Sequence, residues 1–417
     1  MGEWHDVSLG EVLELKRGYD LPQRDRTPGK VPLISSSGIT DHHTVAMVKG
    51  PGVVTGRYGT LGQVFYVTED FWPLNTTLYV RDFKGNDPLF ISYFLRSLDF
   101  SAYSDKAAVP GLNRNHLHQA RVRLPLDVSE QTAISSLLGT LDDKIDLNRR
   151  MNETLEAMAQ AIFKDWFGDF GPTRAKAEGR APYLQPEIWQ LFPDRLDAEE
   201  KPVGWRDVRV EDIAEKVAMG PFGSNIKVST FIDDGIPVIS GRHLNSTMLE
   251  DSHFNFVTEE HADRLKNSHV FRGDIVFTHA GNIGQVSYIP ETSRYTRYVI
   301  SQRQFYLRCN RMLALPTFMV YYFRSPEGQH KLLANTSSVG VPSISRPATN
   351  LKTIEFCLPP RCVLDAFDVL IIEFHRTIGA NIAESSVLAA TRDLLLPKLM
   401  SGEIRLKDAE KLVEDAL

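Results

Sequence analysis

Apolar residues in two stretches of the chain recur at alternating steps of four and three, the heptad spacing of a coiled coil. The first seam consists of Ile134, Leu138, Leu141, Ile145, Asn148, Asn152, Leu155, Ala159, Ile162 and Trp166. The second consists of Phe367, Ile371, Phe374, Ile378, Asn381, Ser385, Leu388, Arg392 and Leu395. With Ser129 as the predicted N-cap, the first helix would run about 57 Å to Trp166. That length exceeds what a module of this size needs for its own core, which favours a coiled coil. The alternative is that each long helix packs only on its own module.

In the rest of the chain, short alternating runs of apolar and polar residues predict two mixed α and β modules. Runs rich in β-branched and aromatic residues predict strands at Val53–Val54, Val64–Val67, Ile275–Phe277 and Gln304–Leu307. Apolar residues at i, i+1, i+4 and i+5 predict amphipathic helices at Phe90–Ser97 and Phe318–Ser325.

The two halves of the chain are copies of one another at a period of a little over 200 residues. Matching segments occur in the same order: Trp4–Val7 and Trp205–Val208, Val31–Ser35 and Ile236–Ser240, Gly59–Val64 and Gly281–Val286, Phe90–Ser97 and Phe318–Ser325, Val109–Pro110 with Arg114 and Val341–Pro342 with Arg346. The two seams are offset by 233 residues. This offset predicts equivalent register positions at Asn148 and Asn381, Ile145 and Ile378, and Leu155 and Leu388. Polar residues in an apolar seam specify register at some cost in stability.

Composition and charge exclude several classes of protein. The 417 residues are 42% hydrophobic and 24% charged, as in soluble globular proteins, and the net charge of −6 argues against a polybasic nucleic-acid coat. Residues 1–127 and 202–360 carry net charges of 0 and +2, so the acidity lies in the helices and the linker. Three cysteines without a CxxC pair, no signal peptide and no long apolar run predict a cytoplasmic protein.

Equivalent polar loops in the two modules are the candidate DNA-contacting elements. Gly56–Gly62 and Thr278–Gly284 share a glycine frame but differ at their tips. Either each loop is only a tight hairpin turn, with glycine supplying positive φ, or the tips face two different DNA targets. The complete candidate set is Lys16, Arg17, Ser36, Ser37, Arg57, Tyr58, Thr60, Asn113, Arg114, Ser224, Asn225, Lys227, Arg242, His243, His279, Asn282, Ser345 and Arg346. Each of these residues taken alone is also typical of solvated surface.

The chain carries none of the catalytic signatures that nucleic-acid enzymes would need. Leu358-Pro359-Pro360 lacks the acid or amide and the aromatic residue of an amino-methyltransferase motif. His42-His43 and His116-Leu117-His118 lack carboxylates or cysteines at metal-ligand spacing. We therefore expect no catalytic residue and no metal site.

The sequence resembles the specificity (S) subunit of Type I restriction-modification enzymes over almost its whole length. The segments that carry the resemblance are Phe163–Phe167, Pro202–Trp205, Gly235–Ile239, Gly281–Gly284 and, most specifically, Leu394–Ile404.

The resemblance implies an α+β fold with two tandem target-recognition domains separated by two long antiparallel helices in a pseudo-twofold repeat. The predicted segments are 1–127 and 202–360 for these domains, 128–170 and 361–406 for the spacer helices, 171–201 for a proline-punctuated linker, and 407–417 for a charged, frayed tail. The second domain is longer, and its extra Met248–Leu265 region is expected to add contacts.

The resemblance also implies a non-catalytic role within a larger complex. Each domain would recognise one half of a bipartite, asymmetric double-stranded DNA site, and the helices would set the gap and dock two methyltransferase (M) subunits. Restriction (R) subunits would complete the complex, with S-adenosylmethionine, ATP and Mg²⁺ on the partners. The alternatives are a recognition subunit of a related two-sided restriction system, an unrecognised metal-dependent nuclease, or a coiled-coil scaffold with no DNA role.

Overall fold

The computed structural model describes residues 4–58, 62–105, 111–223, 225–337 and 340–414. The chain forms two compact units, each with a recognition module and part of the long helices. Unit 1 comprises Met1–Asn148 and Ile382–Leu417, and unit 2 comprises Arg149–Asn381.

Helices are numbered along the chain. They are α1 (Leu9–Val12), α2 (Pro88–Ser97), α3 (Arg114–His118), α4 (Val128–Phe163), α5 (Gly171–Ala177), α6 (Pro186–Trp189), α7 (Val210–Ile213), α8 (Glu259–Arg264), α9 (Pro316–Arg324), α10 (Pro326–Leu333), α11 (Pro347–Thr353), α12 (Arg361–Ser401) and α13 (Leu406–Glu414). Short 3₁₀ turns occupy Gln23–Asp25, Phe100–Tyr103, Val228–Thr230, Gly241–His243 and Lys266–Ser268, and a π-helical turn occupies Lys164–Gly168.

The strands of unit 1 form a central antiparallel sheet and smaller sheets beside it. They are β1 (Trp4–Ser8), β2 (Glu14–Arg17), β3 (Val31–Ser35), β4 (Gly38–His43), β5 (Gly52–Gly56), β6 (Val64–Val67), β7 (Trp72–Pro73), β8 (Thr77–Asp82), β9 (Ser104–Asp105), β10 (Gly111–Leu112) and β11 (Arg121–Pro125). The central sheet has the order β2-β8-β5-β6, and the second sheet has the order β4-β3-β7 with β3 and β7 parallel. β1 pairs with β11, and β9 pairs with β10.

The strands of unit 2 repeat this topology. They are β12 (Arg206–Arg209), β13 (Ala214–Met219), β14 (Ile236–Ile239), β15 (Asn255–Val257), β16 (His269–Phe271), β17 (Ile275–Thr278), β18 (Val286–Tyr288), β19 (Arg297–Ile300), β20 (Gln304–Cys309), β21 (Thr336–Ser337), β22 (Ser343–Ile344) and β23 (Glu355–Leu358). The central order β13-β20-β17-β18 corresponds to β2-β8-β5-β6, and β14 and β19 are parallel like β3 and β7. The predicted duplication and mixed α+β fold are confirmed. Only part of the Met248–Leu265 region is extra, because β15 pairs with β14 as β4 pairs with β3, whereas α8 has no counterpart between β4 and β5.

The long helices α4 and α12 pack antiparallel within each unit. In unit 1, Asn148 Nδ2 donates to Glu384 Oε2 at 2.7 Å and to Ser385 Oγ at 3.2 Å. In unit 2, Asn381 Nδ2 donates to Asn152 Oδ1 at 2.8 Å. Since positions 152 and 385 are also 233 apart, equivalent seam positions meet in both units.

The other register positions line the same seam with different degrees of burial. Leu388 and Ile378 are buried, whereas Ile145 and Leu155 are half-buried. The apolar residues therefore face inward as a heptad pattern requires.

The N-cap of α4 differs from the prediction. The helix begins at Val128, and the Asp127 carboxylate accepts the backbone N–H of Ser129 at 2.9 Å and its hydroxyl at 2.7 Å. Asp127 is therefore the cap, because its acceptor lies one residue outside the helix, where an unpaired helical N–H points. Ser129 is already inside the first turn.

The linker and the tail are more ordered than the sequence suggested. The 171–201 segment contains α5 and α6, and Ala175 and Phe192 are buried in the unit 2 core. The prediction of a frayed tail at 407–417 is wrong for its described part, because α13 buries Ala409 and Val413 in the unit 1 core. Leu406, Ala409 and Val413 follow one another at steps of three and four between charged residues, so one face packs while the others stay hydrated.

Candidate nucleic-acid interface

The predicted loops of unit 1 gather at one end of its central sheet. β2 and β5 both run antiparallel to β8, so both end where β8 begins. Backbone hydrogen bonds hold this end: Gly18 N to Thr77 O at 3.1 Å, Arg57 N to Thr76 O at 2.9 Å, and Leu74 N to Ile34 O at 2.8 Å. The loops that follow β2, β3 and β5 therefore meet the turn that precedes β8.

Unit 2 repeats these three backbone hydrogen bonds, which together form the hydrogen-bond frame of each unit. The corresponding pairs are Gly220 N to Gln304 O at 2.8 Å, His279 N to Arg303 O at 2.9 Å, and Ser301 N to Ile239 O at 2.9 Å. The frame equates Leu74 with Ser301, Asn75 with Gln302, and Thr76 with Arg303. The backbone is thus conserved between the copies while the side chains at its surface differ.

One glycine in each copy is required by this frame. A Cβ on Gly18 would lie 2.1 Å from Leu74 O, and a Cβ on Gly220 would lie 2.0 Å from Ser301 O. Backbone approaches this close exclude any side chain. Gly18 follows β2 and Gly220 follows β13, so the two glycines occupy equivalent places in the two units.

Cationic and aromatic side chains cluster in unit 1. The Arg57 guanidinium stacks 4.6 Å from the ring centre of the exposed Tyr58. Lys16 Nζ donates to Tyr19 OH at 3.3 Å, and the Tyr19 and Tyr79 hydroxyls lie 2.9 Å apart. The hydrogen bond with Tyr79, aided by Lys16, lowers the pKa of Tyr19.

The remaining candidates of unit 1 occupy the same loops. Ser37 and the half-buried Ser36 form the turn after β3, and Arg17 lies exposed 3.8 Å from Asp20. Asn113 caps α3 by accepting the Asn115 N–H at 3.0 Å, which leaves Arg114 exposed on the first turn. Two candidates, Thr60 in unit 1 and Ser224 in unit 2, lie outside the described residues.

In unit 2 most candidates are exposed at the equivalent end. Asn225 and Lys227 lie on the loop after β13, Arg242 follows β14, and Asn282 is at the tip of the β17–β18 connection. Ser345 and Arg346 precede α11, and Arg346 adopts a left-handed conformation with φ 45°. The connection itself spans residues 279–285, so it is longer than the predicted tight hairpin, and Gly281 and Gly284 supply positive φ.

The two histidines of the set do not fit the prediction equally. His243 is only 2% exposed, its Nδ1 accepts the Ser240 N–H at 3.0 Å, and its ring packs 4.4 Å from that of Phe254. Burial, helped by the charge of Arg242, lowers its pKa to about 4. His243 therefore belongs to the protein interior, and its prediction as a DNA contact is wrong. His279 is half-buried with Nε2 3.0 Å from Gln302 O, and burial lowers its pKa.

Sequence reasoning missed the turn before the last central strand. Asn75 and Thr76 in unit 1 and Gln302 and Arg303 in unit 2 stand at the meeting point of all the other loops. A cavity of about 390 Å³ opens beside the unit 1 turn, lined by residues that include Asp20, Ser35, Asn75 and Thr76. Alignment of the two copies across β8 and β20 is the signal that could have found these residues.

A buried polar network fixes the module of unit 1 to its helices. Asp142 on α4 accepts the Tyr93 hydroxyl at 2.6 Å, Arg96 at 3.2 Å and Arg392 of α12 at 2.5 Å. Burial alone would raise the pKa of this carboxyl, but the hydrogen bonds from Tyr93 and Arg392 lower it below its usual value.

The position equivalent to Asp142 in unit 2 is His375. Its Nδ1 lies 2.7 Å from Tyr288 OH and its Nε2 lies 2.9 Å from Tyr321 OH, which also donates to Glu156 of α4 at 3.2 Å. The network is complete if Tyr288 donates to Nδ1 and the Nε2–H donates to Tyr321, so the ring is neutral. Burial lowers the pKa of His375 to about 4.

Two further properties concern only the described part of the chain. Its His, Cys, Asp and Glu side chains form no cluster of three or more with the arrangement of a metal site. None of its helices combines the length and the apolar character that crossing a lipid bilayer requires.

The duplicated frame with different polar side chains defines a protein with two related but distinct recognition surfaces. A model of the Type I restriction modification DNA specificity domain matches residues 1–157 and again residues 202–380. The chain belongs to this family, and it is a specificity subunit that recognises DNA sequence. Its family supplies specificity rather than catalysis.

Individual relatives agree with this assignment. The chain is 23% identical to the Type I restriction enzyme HindI specificity subunit of Haemophilus influenzae, over 97% of this chain and 100% of the relative. It is 25% identical to the MjaIX specificity subunit of Methanocaldococcus jannaschii, over 86% of this chain and 79% of the relative. The fold resembles the crystal structure of a Type I restriction-modification S subunit from M. genitalium, with a TM-score of 0.60, 14% identity and coverage of 95% and 96% of the two chains.

Proposed function

We propose that each unit recognises one half of a bipartite, asymmetric DNA site. The observation that carries this proposal is the shared hydrogen-bond frame with different side chains at its equivalent positions. Where unit 1 has Asn75 and Thr76, unit 2 has Gln302 and Arg303. Amides bind adenine edges and arginine binds guanine edges, so the same frame supports two base preferences.

In this proposal the long helices set the gap between the half-sites and dock two methyltransferase (M) subunits. Both helices expose large apolar side chains that the heptad seam does not use. They are Leu147, Ile382, Val387 and Leu394 in unit 1, and Met151, Met158, Val369 and Ile372 in unit 2. Exposed apolar residues in such numbers favour a protein-binding face.

The chemistry of the assembled complex would lie on its partners. The M subunits would bring S-adenosylmethionine and flip a target adenine out of the duplex, and R subunits would bring ATP and Mg²⁺. Residues 128–201 and 361–417 carry a net charge of −8, which repels DNA and suits a protein-facing spacer. The isolated chain is therefore expected to bind DNA weakly.

A gel-shift assay with and without M subunits tests the proposal. The complex should retain one family of duplexes against excess random competitor DNA, whereas the isolated chain should bind weakly. Arg57→Ala and Arg346→Ala should each weaken binding by the complex. Sequence-independent binding by the complex, or unchanged affinity in both variants, would refute the proposal.

A further inference from the structure

An exposed phenylalanine stands at the tip of the first recognition loop of unit 2. The Phe222 side chain is 78% exposed, although it lies between a buried proline and a glycine with φ 63°. In the described residues no other aromatic ring packs against it. Exposure of a whole aromatic ring is unfavourable in water, so burial of the Phe222 ring against a partner would be favourable.

The loop that carries Phe222 is held firmly. Gly220 N donates to Gln304 O at 2.8 Å, and Asn225 Nδ2 donates to Phe222 O at 2.7 Å. Gln302 Nε2 donates to Ile226 O at 2.6 Å, and Ile226 is itself buried. These hydrogen bonds hold the backbone at Gly220, Phe222 and Ile226.

The surroundings of Phe222 suit nucleic acid. Residues 216–232 contain two lysines and no Asp or Glu. The exposed Lys227 and Asn225 share the loop, and the exposed Arg303 lies on the adjoining turn of the frame. An aromatic residue beside cations and an amide is the composition of a surface that neutralises phosphate and stacks on bases.

The equivalent position of unit 1 carries no aromatic residue. By the frame that equates Gly18 with Gly220, its counterpart of Phe222 is Asp20, which accepts a hydrogen bond from Asn75. An aromatic ring at this position is therefore a feature of unit 2 alone.

We propose that Phe222 is a specificity-determining wedge that inserts between two base pairs of the half-site recognised by unit 2. Apolar side chains used in this way unstack a base step and favour sequences that kink easily, which provides selection at base pairs without hydrogen-bond contacts. The proposal deepens the DNA recognition proposed above and rests on it.

The test uses the assembled complex with M subunits and duplexes carrying its methylated site. 2-Aminopurine replaces each adenine of both halves in turn, because this adenine analogue pairs with thymine and its fluorescence rises on unstacking. Apart from the adenines that the M subunits flip, the wild-type complex should give one bright step, in one half-site. Phe222→Ala should abolish that signal and weaken binding roughly 5- to 150-fold, the range expected for loss of one stacked base.

Two controls separate the wedge from other effects. Met312 is 81% exposed on the turn after β20, at the opposite end of that strand from Gln304, and Met312→Ala should change neither readout. The salt dependence of affinity should keep its slope in Phe222→Ala, since no phosphate contact is removed, whereas Arg303→Ala should reduce the slope by about one.

Three results would overturn the proposal. They are a wild-type complex that binds its site with no bright step beyond the flipped adenines, a Phe222→Ala complex with wild-type affinity, and a Phe222→Ala chain that no longer assembles with M subunits when DNA is absent. The last result would make the ring a protein contact. Loss of sequence-specific binding by the wild-type complex would instead refute DNA recognition itself, so the two failures are distinguishable.

Discussion

Acidification should destabilise unit 2 through His375, and His375→Gln should remove part of that effect. The buried ring is enclosed by Tyr288 of β18, Tyr321 of α9 and Glu156 of α4, and its pKa is about 4. In the unfolded chain an imidazole titrates near pH 6.5. Below that pH the unfolded state binds a proton that the folded state does not, so the free energy of unfolding falls.

The magnitude follows from the difference in pKa. Each pH unit below about 6.5 costs about 1.4 kcal/mol, so His375 should remove about 2 kcal/mol at pH 5. His243, also buried with a pKa of about 4, should add a share of similar size that the variant retains. The variant should therefore lose less stability than wild type between pH 7.5 and pH 5.

Hydrogen–deuterium exchange of peptides from α9, followed in urea at pH 7.5, 6.5, 5.5 and 5.0, measures the opening of unit 2 itself. His330→Gln is the matched control, because His330 is exposed on α10 of the same unit, and its pH dependence should follow that of wild type. Parallel pH dependence in wild type and His375→Gln would refute the argument.

Three further outcomes follow from the structure. Asp142→Asn should lower the free energy of unfolding of unit 1 by about 2 kcal/mol in urea titrations, because Arg96 and Arg392 lose a shared carboxylate. As a control, Asp143→Asn at the exposed neighbouring position should change it by less than about 0.5 kcal/mol. Gly220→Ala should weaken specific binding in gel shifts and cost roughly 1–3 kcal/mol in urea titrations, because its Cβ would collide with the backbone. Gly379→Ala, on α12 with open space around it, should stabilise the protein by about 0.5–1 kcal/mol; destabilisation there would contradict the described helix.

The long-range pattern was predictable from the sequence because it depends on periodicity. Heptad spacing identifies α4 and α12, and the repeat identifies two modules whose strands and helices fall close to the predicted ranges. Capping was harder: Asp127 and Ser129 are both good caps, and only the hydrogen-bond geometry distinguishes them. The α13 helix was missed because its charged residues outnumber the two side chains, Ala409 and Val413, that pack.

The interface was predictable in its loops but not in its individual residues. Arg303 reaches the surface, with the half-buried Gln302 beside it, only because β20 pairs with both β13 and β17, a non-local arrangement that no short segment encodes. His243 looked like a polar loop residue, but the fold turns its ring inward against Phe254. Side-chain direction in a loop depends on tertiary packing, which the local sequence does not reveal.

The most direct test of the central claim is genome-wide mapping of the adenines methylated by the assembled complex, with wild-type chain and with single-unit variants. The wild-type complex should methylate adenines within one bipartite asymmetric motif. Arg57→Ala should relax base preference in one half only, and Arg303→Ala in the other half only, with the gap unchanged. Loss of preference in both halves from either variant, or a single continuous motif in wild type, would contradict it.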